Sequence, residues 1–185
     1  RRVQQEGGFV LSFDFNFISE SPTEPGWIGV TPQDIFDPEP GVISYGWVRN
    51  EDTDGPCCAG NSAPSTWEEL GPIYMDHNGD DEPEVFAVRA VQLVPDTNYE
   101  VEGHFWWWGG ITGMRISNAN NPDQGVTLDV PSDNAPSDEE NTRIFTVTSD
   151  SDGELRIKLE PGSGGDDTGV AKWWVLSGLE IRGGP

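Results

Sequence analysis

The stretch Phe9-Val10-Leu11-Ser12-Phe13-Asp14-Phe15-Asn16-Phe17-Ile18 carries a large apolar residue at every odd position. Successive side chains of a strand point to opposite faces, so this period of two puts Phe9, Leu11, Phe13, Phe15 and Phe17 on one face of a core strand. The texture continues along the chain. Short runs rich in Val, Ile, Thr, Phe and Trp occupy residues 27–30, 43–48, 85–94, 99–108, 114–117, 125–130, 142–148, 154–159 and 171–181, and 23 Gly and 15 Pro punctuate them. Helices have little room to start, because the best candidate, Ser65-Thr66-Trp67-Glu68-Glu69-Leu70, is one capped turn closed by Gly71-Pro72. Half-apolar strands must bury one face against another layer. The expectation is an all-β chain, one domain over residues 1–185, folded as a two-sheet antiparallel β-sandwich of the jelly-roll kind. Within it, residues 142–159 read as a hairpin through Asp150-Ser151-Asp152-Gly153.

Charge narrows the function classes. The chain has 33 Asp and Glu against 10 Lys and Arg, a formal net charge of −23. A phosphate backbone is held by clustered cations, and the cations here are few and scattered, which argues against nucleic acid and against an anionic membrane surface. No apolar run reaches the roughly 18 residues of a membrane-spanning helix. The opening Arg1-Arg2-Val3 lacks a methionine and a signal-like segment, as expected of an excised or mature piece. Acidity and low hydropathy can mean disorder, but eight Trp, eight Phe and three Tyr supply enough apolar surface to offset chain entropy. Such an acidic surface also suits a saline habitat, where carboxylates hold hydration.

The pattern is weakest over residues 49–83, which contain Asp52, Asp54, Cys57-Cys58 and the acidic run from Asp76 to Glu82. That segment reads as a long, ligand-accessible loop excursion. Elsewhere, Pro25-Gly26-Trp27, Tyr45-Gly46-Trp47, Pro95-Asp96-Thr97-Asn98-Tyr99-Glu100-Val101, Asp152-Gly153-Glu154-Leu155 and the closing Trp174-Val175-Leu176-Ser177-Gly178-Leu179-Glu180-Ile181 follow Phe13-Asp14-Phe15 in order. In this arrangement the chain resembles galactose-binding-like β-sandwich modules, above all the accessory sandwich beside catalytic domains in rhamnogalacturonan acetylesterases and other polysaccharide-degrading enzymes. The resemblance implies a secreted or surface-exposed, non-catalytic carbohydrate-binding module attached to a catalytic or surface domain. It also implies a structural calcium ion between the first and last strands, where Glu6, Asp14 and Glu180 are the local carboxylates. The 49–83 excursion, the Trp106-Trp107-Trp108 run and the acidity depart from the pattern.

Sugars present flat C–H faces and hydroxyls, so their receptors pair aromatic platforms with amides, acids and arginine. Adjacent tryptophans on a strand face opposite ways, so neither Trp106-Trp107-Trp108 nor Trp173-Trp174 can lie wholly in the core. The residue parity of 99–108 sends Tyr99, Val101, Phe105 and Trp107 inward and Glu100, Glu102, His104, Trp106 and Trp108 outward. The leftover rings are either covered by the 49–83 excursion or a neighbouring domain, or they place Trp106, Trp108 and Trp174 at a binding surface with Arg115, Asn118, Asn120, Asn121 and His104 as hydrogen-bonding partners. Cys57 and Cys58, the only cysteines, either close a vicinal disulfide that stiffens a ligand-contacting loop or remain separate thiols. Asp76, Asn78 and Asp80 offer a second calcium register, with oxygens at alternate positions but without the glycine and glutamate of a full calcium loop. No nucleophile elbow, phosphate loop or zinc-protease motif is present, and two cysteines with two distant histidines, His77 and His104, lack the usual zinc-ligand spacing, so no cofactor beyond calcium is expected. The rival to a carbohydrate-binding module is a structural or adhesive extracellular β-sandwich that docks another protein, and a small lyase or hydrolase is a distant third.

Overall fold

The structure, a computed structural model, describes residues 8–16, 23, 25–49, 58–61, 76–105, 110–130, 142–164 and 172–183, with the side chains of 58–61, 76–79, 164 and 172 left aside. The described residues form strands, turns and bends, with no helix among them. Numbered in chain order, the smaller sheet runs β10 (Thr142–Thr148), β7 (Asn98–His104), β14 (Gly178–Gly183), β1 (Phe9–Phe15) and β2 (Ile28–Val30). The larger runs β3 (Ser44–Trp47), β6 (Glu84–Arg89), β11 (Glu154–Glu160), β8 (Ile111–Asn118), β12 (Gly162–Gly164), β13 (Lys172–Leu176), β5 (Asp76–Asp80) and β4 (Cys58–Asn61), with β9 (Asn121–Val130) paired to β8. All-β, two-sheet architecture is thus what the alternating strands produce. The ladders are antiparallel except for β1 with β2, where Phe13, Asp14 and Phe15 run parallel to Ile28, Gly29 and Val30.

The core lies where the odd residues of β1 meet the larger sheet. Leu11, Phe13 and Phe15 are buried, and Phe86 of β6 sits edge-on to Phe13 at 5.4 Å and to Phe15 at 5.1 Å between ring centroids. Trp47 touches Phe15, Phe86 and Trp174 at 5.7, 5.4 and 5.4 Å, which carries the aromatic contact from β1 through β3 and β6 to β13. Such pairs add roughly 0.5–1.5 kcal/mol each beyond the area they bury. Gly46 lets the chain approach itself beside Trp47: its φ is +145°, and a Cβ there would stand 2.6 Å from the Asp34 carbonyl oxygen and 2.7 Å from the backbone of Ile35 and Phe36. The segment around Ile35 consequently pairs with Trp47 at that edge.

Three expectations need correction. First, residues 142–159 are not a hairpin, because β10 pairs with β7 in one sheet while β11 pairs with β6 and β8 in the other. The Asp150–Gly153 turn is tight, with Gly153 N–H donating to Asp150 O at 3.0 Å and Gly153 at φ +77°, yet it hands the chain from layer to layer. Alternation marks an inward face in either case and does not say which sheet holds it. Second, residues 85–94 end as a strand at Arg89, and the chain crosses to β7 through Ala90–Thr97. The two crossings lie side by side, joined by Ser149 Oγ donating to Val94 O at 2.6 Å and Thr97 N–H donating to Ser149 Oγ at 3.0 Å. Third, residues 171–181 break at Ser177, where β13 of the larger sheet gives way to β14 of the smaller. The 49–83 excursion supplies β4 and β5, while the turn expected at 65–70 lies outside the described residues.

Two measurements test this packing. Phe86→Ala removes the ring at the centre of the aromatic contact and is expected to cost roughly 3–5 kcal/mol in denaturant unfolding, as for other buried aromatics; a loss below 1 kcal/mol would contradict the central placement. Tyr45 packs on Phe13 at 5.6 Å, and burial, with a smaller push from the Asp34 charge, raises its pKa above the usual tyrosine value. A raised folded pKa contributes stability that is complete below the unfolded value near 10 and is lost as pH rises through the folded one. The melting temperature is therefore expected to fall above about pH 10, and less steeply in Tyr45→Phe than in the wild type.

Candidate functional site

The outward face of the smaller sheet gathers polar side chains from four neighbouring strands. In register, Ile144, Glu102, Glu180 and Ser12 form one row and Thr142, His104, Gly178 and Asp14 the next. Gly178 leaves room beside His104, whose Nδ1 lies 3.3 Å from Thr142 Oγ1 and whose ring meets the Trp27 ring edge-on at 6.0 Å. His104 Nε2 stands 3.9 Å from both Glu102 Oε1 and Glu180 Oε2. Arg182 binds the same two carboxylates, donating to Glu102 Oε2 and, at 2.5 Å, to Glu180 Oε2, and it also reaches Glu100 at 3.4 Å. Ser12 Oγ donates to Glu180 Oε1 at 3.2 Å. Burial alone would lower the Arg182 pKa, but the bond to Glu102, the charges of Glu180 and Glu102 and the bond to Glu100 outweigh it, so the guanidinium is held above its ordinary value. Although they point away from the core, the side chains of His104, Glu102 and Glu180 are only 11%, 16% and 18% exposed.

A second feature lies near the other end of β7. A cavity of about 240 Å³ is lined by Glu39, Pro40, Val42, Arg89, Val91 and Leu93, among others. Val42 and Val91 are 50% and 74% exposed at its edge, and their chain neighbours Ile43 and Val94 are exposed as well.

The residues expected to bind ligand are distributed differently. Trp174 is fully buried, its ring against Trp47 and its Nε1 donating to Glu82 O at 2.7 Å, while Trp173 is the half-buried member of the pair. Asn118 is 1% exposed and structural: Nδ2 donates to Gln124 Oε1 at 2.8 Å and to Thr148 O at 3.0 Å, which ties the β8–β9 hairpin to β10. Its Oδ1 accepts from Asn120 N–H at 2.9 Å in the turn, where the Asn120 side chain is exposed. Arg115 donates to Pro122 O and to Thr127 Oγ1 at 3.3 Å, so it too closes that hairpin. Asn121 opens β9, and its Oδ1 accepts from Asp123 N–H at 3.3 Å. Trp106, Trp108, Cys57 and Glu6 lie outside the described residues, as does the Cys58 side chain.

Of the calcium candidates, Asp14 is fully buried on the same outward face as Glu180, but the carboxylate that joins Glu180 and His104 is Glu102. The Asp76–Asp80 segment is a strand between β4 and β13. Asp80 Oδ1 accepts from Glu82 N–H at 3.0 Å. Sequence reasoning reached His104 and Glu180 as separate site candidates and placed Glu102 on the outward face with His104 but gave it no role; Arg182 it missed, because the pairing of β7 with β14 is not visible in the sequence.

No protein-family model matches the chain, and no curated protein matches it. Among solved structures it is similar to the plant peptide RALF23 complex with FER and LLG2, at 13% identity and a TM-score of 0.49, with 96% of this chain and 40% of that one covered. It is also similar to the ANXUR1 extracellular domain from Arabidopsis thaliana, at 15% identity, a TM-score of 0.48 and coverage of 93% and 47%. The ANX1 ectodomain from the same plant gives 12% identity, a TM-score of 0.47 and coverage of 93% and 40%. The chain thus spans less than half the length of each. No helix among the described residues is long and apolar enough to cross a membrane.

Asn118 separates a structural from a binding role. Asn118→Ala removes the donor to Thr148 O and the acceptor of Asn120 N–H, while Gln124 Oε1 keeps the Thr148 N–H at 3.0 Å, and is expected to cost about 1–3 kcal/mol, with ligand binding per folded molecule unchanged. Intact stability with lost binding would restore Asn118 to the ligand surface.

Proposed function

We propose that this chain is a non-catalytic, extracellular β-sandwich that docks a partner protein through the aliphatic rim of Val42 and Val91. The cavity at that rim supports the reading. At about 240 Å³ it falls below the roughly 300–1,000 Å³ of ordinary small-molecule pockets and suits one or two protein side chains. Val42, Val91 and Pro40 line it together with the charged Glu39, Arg89 and Asp152, so an aliphatic group would insert beside polar walls that offer no ring for a sugar to stack on. Arg89 at its edge, 3.8 Å from Glu154, provides one charged contact for an acidic group beside the inserted side chain.

Polysaccharide retention is the second reading, favoured by one observation. Tyr99, Val101 and Phe105 are all buried, so the inward parity that sends Trp106 and Trp108 outward holds as far as Phe105. This reading makes the chain a carbohydrate-binding module that keeps an attached domain on its glycan, with a structural calcium ion as a further proposal.

The test is a photo-crosslinking residue at position 91, with position 127 as control, followed by titration of the captured partner in pure form. Val91→Asp and Val42→Asp are expected to keep the melting temperature, since both positions are exposed, and to weaken that partner at least about tenfold. Retardation in gels of agarose, pectin, alginate, xylan or β-glucan that Trp106→Ala and Trp108→Ala abolish, and Val91→Asp does not, would replace docking by the second reading.

A further inference from the structure

We infer that Glu102, His104 and Glu180 form a site for a divalent transition-metal ion of the zinc type. Three ligand atoms, one from each residue, lie within 4.8 Å of one another on two adjacent strands. His104 is held by Thr142 on one side and the Trp27 ring on another, so that Nε2 faces both carboxylates at equal distance. With its single ring proton on Nδ1, donated toward Thr142 Oγ1, a neutral His104 presents at Nε2 the lone pair that a metal requires, and a hydrogen-bonded second nitrogen is the usual support of a histidine ligand. Ligands about 2.0–2.1 Å from a tetrahedral ion stand about 3.3 Å apart, so each glutamate has to close on Nε2 from 3.9 Å by roughly 0.6 Å, and the two carboxylates, within 4.8 Å of each other, by up to about 1.5 Å through side-chain rotation.

Charge points the same way. Glu100, Glu102 and Glu180 converge on the one guanidinium of Arg182, which leaves the group two negative charges in excess while His104 is neutral. A dication cancels that excess. Arg182 competes for the carboxylates: on Glu102 it takes Oε2 and leaves Oε1 toward His104, but on Glu180 it holds Oε2, the oxygen that faces His104, so an ion there has to share or displace that contact. The donor set also selects among ions: calcium takes six to eight oxygens, whereas an imidazole with two carboxylates suits zinc and its neighbours. This site is distinct from the docking rim and does not depend on it.

The chain has two histidines, so imidazole nitrogen resonances of the ¹⁵N-labelled full chain can be read individually as Zn²⁺ is added. A shift of His104 Nε2 saturating at one equivalent, with Ca²⁺ leaving that resonance in place, is the expected result. Glu180→Gln and Glu102→Gln are each expected to weaken Zn²⁺ at least about tenfold, in line with the loss seen when even supporting groups of metal sites are removed. These two near-isosteric changes carry the test if His104→Gln fails to fold. A Zn²⁺ shift confined to His77, no shift at all, or an affinity that both glutamine variants leave unchanged would each overturn the assignment.

Discussion

The contact on which the structure depends is the aromatic bridge in which Phe15 and Phe13 of one sheet grip Phe86 of the other, with Trp47 and Trp174 extending it across the larger sheet. Rings of this size cannot be left in water without losing the main driving force of the fold, so they fix which face of β1, β3, β6 and β13 is inward. Strand parity then leaves no freedom for the rest. With Phe13 and Phe15 inside, Ser12 and Asp14 must be outside; with Val101 and Phe105 inside, Glu102 and His104 must be outside. The polar face of the smaller sheet is thus the reverse side of the aromatic core, and a one-residue slip in β1 or β7 would exchange the two.

The alternation of residues 9–17 and 99–105 was enough to read the fold class and the inward residues of both strands, because a period of two is a direct consequence of the pleat. What it could not read is which sheet a strand joins. Phe145 and Val147 point into the core from one layer, and Leu155, Ile157 and Leu159 point into it from the other, so the sequence pattern of a hairpin and of a crossing is the same. The crossing is decided at Ser149 and Thr97, whose bonds join two loops distant in sequence. β4, β5 and β12 escaped notice for another reason: Cys58–Asn61, Asp76–Asp80 and Gly162–Gly164 carry almost no apolar alternation and are strands because neighbouring backbone pairs with them.

The candidate sites were legible in part, and the boundary is again long-range pairing. Two adjacent tryptophans cannot both face the core, which is correct for Trp173 and Trp174, but local parity does not say which one is left over. Trp174 is taken by Trp47 and by the Glu82 carbonyl, neither of which is near it in sequence. Amides such as Asn118 look like ligand contacts in a sequence because their hydrogen-bonding capacity is visible and its consumption is not. Here Gln124 and Thr148 consume it, and the β8–β9 hairpin is fastened to β10 as a result.

Scarcity of positive charge gives each arginine an unusual weight. On the outward face of the larger sheet Arg156 stands between Glu154 and Asp150, and Glu160 is shared by Lys158 and Arg115. Isolated surface pairs of this kind contribute about 0–1 kcal/mol, and salt screens them further. Arg182 is in a different position, because its three glutamates would repel one another at close range without it, and two of them are mostly shielded from solvent. Its own head group is one-third exposed, so the attraction is moderated by water, whereas the repulsion among the more buried carboxylates is less so. A single monovalent cation at such a junction neutralises one carboxylate of three. The remainder must be met by protons, by diffuse counterions or by a bound dication, and His104, whose Nε2 stands 3.9 Å from an oxygen of both Glu102 and Glu180, can serve the first as an imidazolium and the last as a ligand.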